Sequence, residues 1–132
     1  MMNSLQLKFL AKQYHLDLLI LFGSQASGRK NHLSDIDLAF YRLRPLSDEE
    51  ETGLYSSLMA FYKRNDIDLI NISQAHSALL RYQIFMTGNP LYESRRGLFG
   101  HMRWQAYFDF EDFKRFYSQK NDLLDKKLAA LT

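Results

Sequence analysis

Asp35 and Asp37 stand two residues apart in a short segment, Asp35-Ile36-Asp37-Leu38-Ala39-Phe40-Tyr41, that alternates polar and apolar residues. In a strand, residues i and i+2 share a face, so both carboxylates emerge together with Ala39 while Ile36, Leu38 and Phe40 point the other way. Two ionised carboxylates held this close repel each other, and a divalent cation removes that penalty. Magnesium suits the pair, because it takes oxygen ligands and commonly uses one or two carboxylates together with substrate phosphates. A third acid, Asp68, lies in Asp66 to Ile72, which alternates again. A strand there, parallel to the first and beside it, brings Asp68 to the same patch. Asp66 competes for the position, since Asn65-Asp66 reads as a turn. Three carboxylates can hold two Mg2+ ions, an arrangement that activates a hydroxyl nucleophile and neutralises a leaving pyrophosphate.

Gly23-Ser24 supplies a complementary half. It closes the continuous apolar run Leu18-Leu19-Ile20-Leu21-Phe22 and opens a polar segment to Ser34, read as a turn, a short helix begun near Ser24, and a loop. Glycine lets backbone approach a ligand closely. Free N–H groups at a helix start, together with the Ser24 hydroxyl, suit phosphate oxygens. For Gly23 to meet Asp35 and Asp37, the first strand must end where the second begins, which requires an antiparallel pair.

The elements that must position these residues follow from periodicity. Met2, Leu5, Phe9 and Leu10 predict a first helix over Met2 to Tyr14. The apolar run from Leu18 predicts a strand covered on both faces. Ser47 and Glu50 spell a capping box ahead of a stripe of Leu54, Leu58, Phe61 and Tyr62. Ser73 is read as the cap of another helix, with Ala75, Leu79, Tyr82 and Met86 on one face and Gly88 at its end. Asn89-Pro90 stops it, and Leu91-Tyr92-Glu93 is a candidate edge strand. Phe110, Phe113, Tyr117, Leu124, Leu128 and Leu131 recur at the spacing of a long final helix. The chain therefore reads as an α/β domain, a small mixed sheet of three to four strands flanked by helices. Its core is expected over about 15–93 and a C-terminal helical extension over about 97–132, joined near Arg95 to Gly100.

With 132 residues, one domain is expected. A net charge of +2 is too mild to imply nucleic-acid binding. There is no cysteine, which excludes disulfides and thiolate metal sites and suits a reducing cytoplasm. No apolar run spans a bilayer, and no secretory leader is evident at Met1-Met2-Asn3-Ser4. Gly23 and Gly28 followed by Arg29-Lys30 come near a phosphate-binding loop of the Walker type, but Arg29 stands where lysine is needed and Lys30 where Ser or Thr is needed. His15, His32, His76 and His101 have no metal-ligand spacing, although His32 falls between the two halves of the site. Trp104 to Tyr117 is rich in aromatics at helical spacing, which argues for core or a protein interface rather than a nucleic-acid surface.

Taken together, Leu21-Phe22-Gly23-Ser24-Gln25-Ala26-Ser27-Gly28, Ser34-Asp35-Ile36-Asp37-Leu38 and Asp66-Ile67-Asp68-Leu69 resemble the DNA polymerase β-like nucleotidyltransferases. They look most like the small prokaryotic minimal nucleotidyltransferase (MNT) branch. The resemblance covers roughly Leu18 to Tyr92. It implies the nucleotidyltransferase fold with a long C-terminal helix. It also implies ATP as substrate, Asp35 and Asp37 as ligands of both metals, Asp68 as the third acid that helps deprotonate the acceptor, and Gly23 and Ser24 as triphosphate holders. Members of this branch are frequently antitoxins paired with a HEPN-domain RNase toxin, so the resemblance implies a Mg2+-dependent transfer of AMP to a toxin tyrosine within a hetero-oligomer. Two other outcomes are compatible with it: neutralisation by contact alone, or nucleotidyl transfer to a small molecule of the antibiotic type. Neither a membrane nor nucleic acid is expected as a partner.

Overall fold

The computed structural model describes residues 2–23, 35–75 and 77–131. The elements, in order, are α1 (Met2–Gln13), β1 (Leu18–Phe22), β2 (Ile36–Tyr41), α2 (Asp48–Tyr62), β3 (Ile67–Asn71), α3 (Ala78–Thr87), β4 (Asn89–Glu93) and α4 (Leu98–Ala130). The four strands form one mixed sheet in the order β3-β2-β1-β4. β1 runs antiparallel to both β2 and β4. β2 and β3 are parallel and joined by α2, the helical crossover that a parallel pair requires.

The sheet separates two apolar layers. Leu19, Ile36, Leu38, Phe40 and Ile67 pack against Leu7 and Ala11 of α1 and Leu54 and Leu58 of α2. Leu18, Ile20, Phe22 and Ala39 pack on the opposite face against Ile84 and Phe85 of α3 and Leu98 and Ala106 of α4. Both layers are drawn from alternate positions of β1 and β2, so these strands are covered twice and are almost entirely apolar.

Local chemistry sets the boundaries. Ser47 and Glu50 form the expected capping box, and Lys63 ends α2 in the left-handed region. Glu93 accepts from the N–H groups of Gly97 (3.1 Å) and Phe99 (3.0 Å), satisfying two free donors at the start of α4. Asp17 ties three strands at one end of the sheet. Its N–H donates to the Tyr41 carbonyl, its carbonyl accepts from Ser94 N–H, and its carboxylate accepts from Leu43 N–H.

Two helices need correction. In α1, Leu5 and Phe9 are exposed, and Leu7 and Ala11, with Leu10 and Tyr14 half-buried, form the packed face. Both stripes have helical spacing, and only contact with the sheet decides between them. α3 begins at Ala78 with Ser77 as its cap rather than at Ser73, because Asn71 accepts from Ser73 N–H and a 3-10 turn spans Ile72–Gln74. Its buried residues are Ile84 and Phe85, while Leu79 is exposed. Gly88 stands at the end of α3 as expected, with an extended backbone; it is needed for space, since a Cβ there would lie 2.6 Å from Ile20 Cγ2.

Candidate nucleotide and metal site

The sheet register decides which carboxylates meet. Phe22 pairs with Asp37 across the antiparallel β1–β2 ladder, so the end of β1 lies beside the start of β2. Asp37 pairs with Asp68 across the parallel β2–β3 ladder. Residues in register on adjacent strands share a face, and such strands lie about 4.8 Å apart. Asp35 sits two residues before Asp37, immediately ahead of β2, and is exposed. The three acids thus occupy one end of the sheet, on the face that carries Phe22 and Ala39.

Gly23 shapes this corner. Its φ is +74°, a conformation that favours glycine. A Cβ at Gly23 would collide with the Asp37 carboxylate, whose Cγ would lie 3.1 Å away. Backbone and carboxylate therefore share a space too small for any other residue. Ser24, the Arg29 position and His32 lie outside the described residues, as does the short helix expected to begin near Ser24.

Asp37 carries the electrostatic strain. Burial raises the pKa of its carboxyl above the usual 3.8, and the negative charges of Asp68 and then Asp35 raise it further. A bound cation would reverse both effects. The acids do not close on a common point as they stand: among the described residues no group of three His, Asp or Glu side chains converges to hold a metal. Their chemistry nevertheless fits magnesium, as hard oxygen donors on adjacent strands, one of them short of solvent and facing two like charges.

The competition between Asp66 and Asp68 is resolved by a residue that the sequence pattern did not single out. Arg64 holds Asp66 through a bidentate pair, with Nε donating to Oδ1 at 2.7 Å and Nη2 to Oδ2. That pairing lowers the Asp66 pKa. The Asp66 carbonyl accepts from Ile36 N–H at 3.1 Å, which locks the entrance of β3 to that of β2. Tyr55 of α2 adds a hydrogen bond to the Ile67 carbonyl at 2.9 Å. Asp66 is consumed by structure, and Asp68 is the acid placed beside Asp37. The only sequence signal for Arg64 was its place two residues ahead of Asp66.

Comparison with known proteins agrees with this arrangement of strands. The chain belongs to the polymerase beta, nucleotidyltransferase family, which it matches over residues 6–97. It is distantly similar to the protein adenylyltransferase MntA of Aphanizomenon flos-aquae (strain 2012/KM1/D3), at 28% identity, with 96% of this chain and 90% of that protein covered. Among solved structures, it is similar to a chain of a toxin–antitoxin crystallised with AMP-PNP, with a TM-score of 0.71 and 21% identity over 96% of this chain and 98% of that one. It is also similar to a chain in the complex of tri-AMPylated Shewanella oneidensis HEPN toxin with MNT antitoxin, with a TM-score of 0.66 and 19% identity over 96% and 97% of the two chains. The nucleotidyltransferase fold is common to all of these.

Proposed function

We propose that this chain is an antitoxin-type protein adenylyltransferase that transfers AMP from ATP to a tyrosine of a cognate HEPN-domain toxin and so neutralises it. The observation that carries the reading is the register that sets Asp37 beside Asp68, with Gly23 backed against the Asp37 carboxylate. Asp35 and Asp37 would hold two Mg2+ ions, with Asp68 completing one of the two sites; such ions, when bound, would offset charge on the triphosphate and favour ionisation of the acceptor hydroxyl. Gly23 and Ser24 hold the triphosphate by backbone N–H and hydroxyl. Asp68 takes the tyrosine proton; the phenolic oxygen forms a bond to the α-phosphorus, and the bond from that phosphorus to the bridging oxygen breaks. Pyrophosphate leaves with the electron pair.

The distant likeness to a protein adenylyltransferase supports a protein acceptor over a small molecule. In the same reading, the chain is a single nucleotidyltransferase domain of the cytoplasm, with its core over about 15–93 and a helical extension over about 97–132. Among the described residues no helix is long and apolar enough to cross a membrane.

Label transfer tests the proposal. With α-labelled ATP, Mg2+ and the HEPN protein paired with this chain, label is expected on the partner and is lost when its acceptor tyrosine is replaced by Phe. Protection of cells by the Asp35→Ala/Asp37→Ala variant, with no label on the partner, would instead establish neutralisation by contact.

A further inference from the structure

The first turns of α4 are part of the core: Leu98 and Ala106 are buried, Phe99 lies 5.5 Å from Phe85 between ring centroids, and Phe110 stacks on Tyr82 at 4.4 Å. At about 100° per residue, Phe113, Tyr117, Leu124, Leu128 and Leu131 continue that same face within an arc of roughly 60°. Every described residue from Asp112 onward is exposed. The last part of α4 therefore extends by roughly 28 Å at about 1.5 Å per residue, carrying a core-type face that no described residue covers. With flanking Phe116 and Leu123, the exposed apolar surface is on the order of 800 Å², one side of a standard protein interface and larger than the usual apolar patch of a monomer.

The spacing of this face identifies what covers it. The stripe reads the same in both directions about a midpoint between Lys120 and Asn121. A second copy of α4, laid antiparallel about a two-fold axis at that point, sets Phe113 opposite Leu128 and Tyr117 opposite Leu124, and brings Leu131 to Phe110. Each aromatic side chain meets an aliphatic one, twice, as a self-complementary interface demands. The flanks agree with this register. On one side Lys114 lies about 3 Å along the axis from Asp125 of the other copy, within reach of its long side chain, and the two Asn121 amides meet near the axis; on the other, Phe116 lies about 3 Å along the axis from Leu123. Lys114, which now pairs with Glu111 along its own helix at 2.9 Å, is half-exposed and free to reach across. The one like-charge contact is between the two Lys120 side chains, whose long stems carry their ammonium groups outward to solvent.

We propose that the distal half of α4 is a homodimerisation helix, and that two copies of this chain pair antiparallel through Phe113, Tyr117, Leu124 and Leu128. Nothing in the proposal depends on nucleotide transfer, and its test uses no nucleotide. Sedimentation velocity on the full chain is expected to show a dimer. Leu124→Glu/Leu128→Glu is expected to raise the dimer Kd at least about a hundredfold, with thermal unfolding of the body unchanged. Lys114→Glu and Asp125→Lys are each expected to weaken the dimer by up to about tenfold, and the double reversal to restore it. A chain that stays monomeric at about 100 µM, or that associates only with a HEPN partner, overturns the proposal. So does a dimer indifferent to Leu124→Glu/Leu128→Glu, or a double reversal that fails to restore pairing.

Discussion

Asp37 has two roles in conflict. In the proposed function its carboxylate is needed charged to hold a cation, yet burial and the charges of Asp68 and Asp35 make it costly to ionise in the folded protein. A carboxyl whose pKa is raised by folding weakens the fold as pH climbs through its ordinary range, and the whole penalty is present above the folded pKa. Asp37→Asn is therefore expected to raise the Tm at neutral pH, with the gain vanishing in acid below the ordinary value of 3.8, where Asp37 is protonated in both states. The same variant is expected to lose transfer by on the order of 10³-fold; differential scanning calorimetry and a label-transfer assay read the two effects separately. Mg2+ is expected to raise the Tm of the native protein, by about 2.7 kcal/mol of added stability at a hundred times its Kd, and to leave Asp35→Ala/Asp37→Ala unmoved. A Tm indifferent to Mg2+ would remove the metal from the site. The Asp-x-Asp pair was legible in sequence because strand periodicity alone puts i and i+2 on one face. Arg64 was not, because its value lies in occupying Asp66 across a turn.

At the scale of elements, the boundaries that short side-chain caps define are the ones a sequence reveals. Ser47 with Glu50 marked the start of α2, and Ser47→Ala is expected to cost about 1 kcal/mol in urea unfolding. β1 and β2 were equally legible, one as a continuous apolar run and the other as an alternation, and the antiparallel pairing followed from requiring Gly23 to reach the acids. Where two faces of one helix both carry apolar residues, the choice belongs to packing. That is why the spacing of Leu5 and Phe9 predicts the helix α1 but not its packed side, which Leu7 and Ala11 fill. Ser73 and Ser77 are both good caps for α3, and the Asn71 side chain decides between them by holding a 3-10 turn over Ile72–Gln74. The position of Asp68 depends on a contact from another element, the Tyr55 hydroxyl on the Ile67 carbonyl. Tyr55→Phe is expected to cost about 1 kcal/mol in the same unfolding assay, since it leaves a carbonyl without its partner.

At the scale of the whole molecule, the two proposals place chemistry and association on different parts of the fold. The acids cluster at one end of the sheet, where β2 and β3 begin, while α4 carries its apolar face past the body. The aromatic composition of that helix was visible in sequence, but its exposure was not: periodicity marks a face as apolar without saying whether anything lies against it. The measurement that bears most directly on the proposed function is the intact mass of the HEPN partner after incubation with this chain, ATP and Mg2+. A gain of one or more adenylyl groups, absent with Asp35→Ala/Asp37→Ala, is the expected result. A partner whose mass is unchanged by the native protein, although the two bind, would contradict it.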